Sequence, residues 1–337
     1  MEVFYPKYYE KFTCIAAACP DSCCKEWSVD VDAEAAAFYR QMPGALGDRL
    51  REVLQDTEDG TVMAIENGRC PMWRDDGLCR IQSELGHDAL CKVCREFPRL
   101  THNYGDFTEL GLELSCPEAA RLILSGTDKT ILSRTVPGGE TPEYDTEAMA
   151  ILQRTRSEFF AFLKSASLPF PKILTVFLLY AHSVQQELDG GEKAVLRPDI
   201  FIRGVTATAD FCPLQDFFLE LEILTPQWKS RLEAPAVAPK WECGHKALLH
   251  YFILRYWLQA VSDYDIVCRA KLAVGACLLI GGLGGNLIET AQLFSKEIEN
   301  DPDNVEAILD GAYSHPALTD TYLLGLLMQK GSRNKNY

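Results

Sequence analysis

Nine of the thirteen cysteines in this 337-residue chain lie between Cys14 and Cys116, and no other feature restricts its folding as tightly. In a small secreted protein so many thiols would read as a disulfide scaffold. Here Met1–Phe12 carries scattered charges and no uninterrupted apolar run, so it is not expected to act as a secretory signal. The expected location is therefore the cytoplasm, where thiols stay reduced and clustered cysteines mean metal. Cys212, Cys243, Cys268 and Cys277 are scattered through helical sequence, where a single cysteine usually packs as a small apolar residue.

The spacing within the cluster carries chemistry. Cys14, Cys19, Cys23 and Cys24 fall within eleven residues, and short spacings in a turn let thiolates converge on a metal at little loop-closure cost. Adjacent Cys23 and Cys24 are expected to diverge, so that one ligates and the other packs, or each serves a different site. Asp76-Gly77 is a tight-hairpin signal that would bring Cys70 and Cys79 together on neighbouring strands. Cys91 and Cys94 lie on a predicted helix over 88–97, three residues apart and so on one face. Cys116 completes the set. All nine are candidate metal ligands. Four sulfurs suffice for a zinc ion or a four-iron cluster, so nine imply two sites or several spectators. The spacings match neither the zinc ribbon nor the ferredoxin run, and zinc and iron–sulfur both remain open on this ground.

The expected fold class is mainly α, with a small irregular α+β Cys-rich metal-binding domain at the N-terminus. Residues 1–125 form that domain, 126–147 a polar, turn-rich linker, 148–329 a helical domain and 330–337 a polar tail. Trp27–Asp32 alternates as a half-buried strand, and Asp32 is placed to cap a helix over 33–41. Apolar residues at three- and four-residue spacing predict helices over 151–163, 173–188, 246–261, 266–279, 288–298 and 317–328. Breaks are expected at 189–191, 235–239 and Asp301-Pro302. Leu272–Ile288 is uncharged but glycine-rich and reads as a buried helix; no membrane association is expected.

The net charge is −15, and residues 1–120 hold 22 acidic against 12 basic side chains. Metal-bound thiolates would deepen that negative field, which argues against nucleic acid as a partner and suits a basic peptide.

Tyr9–Cys14, Cys19-Pro-Asp-Ser-Cys-Cys-Lys-Glu-Trp27, Cys70-Pro-Met-Trp73, Gly77-Leu-Cys-Arg-Ile81 and Leu90-Cys-Lys-Val-Cys-Arg-Glu-Phe-Pro-Arg99 together resemble the flagellin lysine-N-methylase family. They are also similar to a wider group of zinc- or iron-chelating domains with an N-terminal Cys-Cys motif. The resemblance implies an S-adenosylmethionine-dependent protein-lysine N-methyltransferase that carries a [4Fe-4S] cluster and acts on lysines of flagellin or a similar protein. The alternative is a non-catalytic zinc- or iron–sulfur-binding interaction module.

The glycine-rich run Leu278–Asn286 lacks the strand–helix alternation of a doubly wound methyltransferase and reads as a close-packed helix end, so the donor-binding residues are unassigned. Tyr5, Tyr8, Tyr9, Tyr104 and nearby acids are available to an amine acceptor, and His87 and His102 flank the Cys91–Cys94 helix. No catalytic base is assigned.

Overall fold

The computed structural model describes residues 1–58, 60–126, 128–201 and 209–328. The chain is mainly helical, with seven short strands among the described residues: β1 (Glu2–Pro6), β2 (Val29–Val31), β3 (Leu54–Thr57), β4 (Gly60–Met63), β5 (Arg99–Asn103), β6 (Phe107–Leu112) and β7 (Ile131–Thr135). One sheet has the order β5-β6-β1-β7, with β1 parallel to β6 and antiparallel to β7. The other is antiparallel, in the order β2-β4-β3.

The expected strand at 27–32 is β2, where Val29 and Val31 are buried and Asp30 faces out. The helix Ala33–Gln41 follows at once, capped by Asp32, whose Oδ1 accepts from the Ala35 amide at 3.0 Å. Each longer helical pattern in the second half is realised: Thr146–Ser165, Phe170–Leu188, Cys243–Tyr256, Ile266–Leu283, Leu287–Phe294 and Asp320–Leu327. A five-residue π-helical turn, Ser295–Glu299, extends the fifth of these. Asp301-Pro302 is a beginning as well as a break, since Pro302 opens the helix Pro302–Ser314 with Asp301 as its cap. Pro117 opens Pro117–Ser125 in the same way.

Ile266–Leu283 has the length and apolar composition of a membrane span, but 89% of it is buried inside the fold. Its glycines explain the run at 278–286. A Cβ at Gly281 would lie 2.7 Å from the Trp241 ring, so the helix end admits that indole only without a side chain there.

Two apolar clusters divide the molecule. The smaller is built from Val29, Val31, Tyr39, Leu50, Val53, Met63, Met72, Ile81 and their neighbours, including Cys70 and Cys91. The larger joins Tyr8, Phe12, Phe107 and Leu112–Leu124 to the helices from 148 onward. The segment expected as a linker contains β7, which pairs along its length with β1. β7 is an edge strand with an exposed C-terminal half, so it needs little apolar patterning and reads as a connection. The polar tail expected at 330–337 lies outside the described residues.

Candidate metal centre

Five segments bring all nine clustered cysteines to the wall of one cavity of about 450 Å³. Short backbone contacts do most of the positioning. The Cys70 amide donates to the Cys24 carbonyl at 2.7 Å and the Glu26 amide to the Gly68 carbonyl at 3.0 Å, which stitches the Cys14–Cys24 loop to residues 68–70. The turn after Cys70 closes through Gly77, whose φ of +80° favours glycine and whose missing Cβ would sit 3.2 Å from Ala17 Cα. Asp76-Gly77 therefore shapes the turn and lets it approach the first cysteine loop. Cys70 and Cys79 flank this turn as expected, though only an isolated Trp73–Cys79 bridge forms, without neighbouring strands.

The helix expected at 88–97 is shorter. A 3₁₀ turn covers His87–Ala89, and the α-helix Lys92–Glu96 starts with Cys91 at its cap. Asp32 holds that start as well: its Oδ2 accepts from the Lys92 amide at 2.7 Å while its Oδ1 caps the helix Ala33–Gln41. One carboxylate thus fixes two helices sixty residues apart in sequence, and these hydrogen bonds, led by that from Lys92, hold its pKa below the usual value. Cys116 reaches the cavity from the cap of Pro117–Ser125.

All thirteen cysteines are free thiols. Interaction with the neighbouring thiols of Cys23 and Cys70 pulls Cys24 down to about 3 and pushes those two up. Cys91 is lowered to about 7 by the bond from Cys94, whose own thiol is raised. Burial raises Cys19, Cys79 and Cys116, the last to about 11.

Cys23 and Cys24 both line the cavity. They lie in a turn rather than a strand or helix, so successive side chains are not forced onto opposite faces. His87 also lines the cavity. His102 does not: it sits on β5 against a separate void of about 20 Å³, with Tyr251 and Arg255, and its buried Nε2 has no partner. Burial lowers its pKa. Tyr5, Tyr8, Tyr9 and Tyr104 lie away from the thiols, and the aromatic wall comes instead from Phe12, Trp27, Tyr39, Trp73 and Phe97. Tyr39 is recruited through its hydroxyl, which donates to the Ala89 carbonyl at 2.7 Å. That contact spans fifty residues and leaves no local trace in the sequence.

Among the described residues, no three cysteine, histidine or carboxylate side chains converge as the shell of a single ion. A zinc site draws four ligands to about 2.3 Å from one point, which is far tighter than nine thiols around 450 Å³. Soft thiolate donors of this kind suit zinc and iron–sulfur groups alike.

A stretch of 140 residues, 38% of this chain, is 31% identical to the flagellar biosynthetic protein FliU of Salmonella muenchen and covers 79% of it. Stretches of 141 residues are 30% identical to the lysine-N-methylases of Salmonella typhimurium and Salmonella choleraesuis. Those matches span about a third of each methylase, 34% in both cases. No family model and no solved structure matches the chain.

Proposed function

The chain belongs to the family of the lysine-N-methylases and FliU, and from that premise we propose that it is a protein-lysine N-methyltransferase. In this reading it uses S-adenosylmethionine, acts in the cytoplasm on flagellin or a similar lysine-bearing protein, and holds an iron–sulfur cluster in its thiol cavity. The observation that carries the reading is the convergence of nine free thiols on one cavity in a chain with these relatives.

The cluster's ligands would be drawn from Cys14, Cys19, Cys23, Cys24, Cys70, Cys79, Cys91, Cys94 and Cys116. When bound, such a cluster supplies electron transfer or a Lewis-acidic iron. The chain's own residues do the rest. On binding a soft metal the ligating thiols would release their protons to solvent as sulfur–metal bonds form. Phe12, Trp27 and Phe97 keep water from part of the wall and offer aromatic surface to a sulfonium donor. The acidic surface draws a lysine-rich partner. Methyl transfer requires the acceptor amine to be neutral and in line with the methyl group, so a desolvated wall beside the thiols favours the reactive form of lysine.

Anaerobic purification with iron and sulfide analysis tests the cofactor, and labelled S-adenosylmethionine with flagellin tests the activity. The reading expects a brown protein absorbing near roughly 400 nm and label on lysine. A colourless protein holding stoichiometric zinc would remove the cluster. Absence of label on any lysine would remove the methylase.

A further inference from the structure

The cysteine loop is also held from the far end of the chain. Lys296, in the π-helical turn Ser295–Glu299, is 3% exposed and lies 3.0 Å from Asp21 Oδ2 and 2.6 Å from Glu26 Oε2. Its ammonium stands 5.1 Å from the Trp27 ring centroid. Asp21 lies between Cys19 and Cys23, and both Asp21 and Trp27 line the thiol cavity. One turn earlier, Gln292 Nε2 donates to the same Asp21 oxygen at 3.0 Å and to the Ser115 carbonyl at 2.8 Å, next to Cys116. Lys25 approaches Asp21 from its own loop at 3.7 Å.

The π-turn explains how one short segment sends side chains in three directions. Lys296 points to the cysteine loop. Glu297 turns the other way, accepting from the Leu224 and Thr225 amides, and Glu299 accepts from the Tyr251 and Tyr256 hydroxyls. Extra residues of this kind inside helices commonly serve to aim side chains at functional positions. Burying three charges on one turn is costly unless each finds partners, and each does.

We infer that Lys296 and Gln292 are positioning residues that clamp the Cys19–Cys24 loop against the cavity, so the C-terminal helices set the geometry of thiols they do not contribute. The inference takes its purpose from the proposed metal-holding role of the cavity. The physical reason is charge. Asp21 and Glu26 are two carboxylates on one loop, and a buried ammonium between them offsets repulsion that would swing the loop outward. Its charge-assisted bonds are of the strong kind.

The test is site-resolved alkylation of the reduced, metal-free 337-residue chain by iodoacetamide, read by mass spectrometry. Lys296→Met keeps a long apolar side chain in the buried slot, and Asp21→Asn, at a partly exposed position, is the second variant. Both are expected to raise the alkylation rates of Cys19 and Cys24 about tenfold, the scale of one charge-assisted bond, with the reactivity of exposed Cys212 unchanged. Lys296→Arg should restore wild-type rates. Unchanged rates at Cys19 and Cys24 in both variants would overturn the clamp. So would a rise matched at buried Cys277, which would mean general loosening. Because the measurement needs no metal, a wild-type protein that binds no iron sinks the cluster reading alone, and unchanged alkylation sinks the clamp alone.

Discussion

Asp32 offers the sharpest test of how the cysteine module is held. Its two carboxylate oxygens each accept one backbone amide, Ala35 at 3.0 Å and Lys92 at 2.7 Å. Loss of a helix N-cap costs about 1 kcal/mol, and a hydrogen bond to a charged group is worth about 1.5–3 kcal/mol. The Lys92 contact is solvent-accessible, which favours the lower end, so Asp32→Ala should destabilise the module by about 2–3 kcal/mol. Asp32→Asn is the informative control. Asparagine has one acceptor oxygen where aspartate has two, so it keeps one cap and turns an N–H donor toward the other amide.

Hydrogen exchange separates the outcomes. Asp32→Ala should lose protection in both 36–41 and 95–97, and Asp32→Asn mainly in one of them. The pH dependence has a definite sign. The folded-state pKa of Asp32 is depressed, so its contribution is fully present above the ordinary carboxylate pKa and is lost as pH falls through the lower folded value. Unchanged exchange at 95–97 in Asp32→Ala, or stability lost on raising the pH, would refute the two-helix role.

Cys→Ser at Cys19, Cys91 or Cys94 should lower metal content in anaerobic preparations, while Cys212→Ser should leave it unchanged and Cys277→Ser should cost only a packing loss of about 1–2 kcal/mol in urea unfolding. Arg156→Ala should destabilise the chain by about 3–5 kcal/mol, because Arg156 donates to the buried Glu109 of β6 through both terminal guanidinium nitrogens and ties the sheet to the helix Thr146–Ser165; urea unfolding measures it. If acidic steering brings in the substrate, the apparent second-order rate of methylation should fall between low and physiological salt, where screening shortens to roughly 8 Å. The maximal rate should change less.

What the sequence alone determined was local. Cysteine density pointed to a thiol site, Asp32 announced the start of Ala33–Gln41, Asp76-Gly77 announced a turn, and apolar spacing announced the longer helices, because each depends on residues a few positions apart. The edge strand β7 escaped notice because a strand with an exposed half needs no strong pattern. Proline at 302 read as a break because the same ring that ends one helix suits the first turn of the next. The tertiary structure decided which thiols meet: five segments spread over a hundred residues share one cavity, and Cys23 stands beside Cys24 in it because a turn holds them. It also decided that Asp32 caps a second helix and that Lys296 reaches Asp21 across 275 positions. Contacts of that range leave no periodic trace, since what selects them is the burial of a charge against its partner once the two halves have packed.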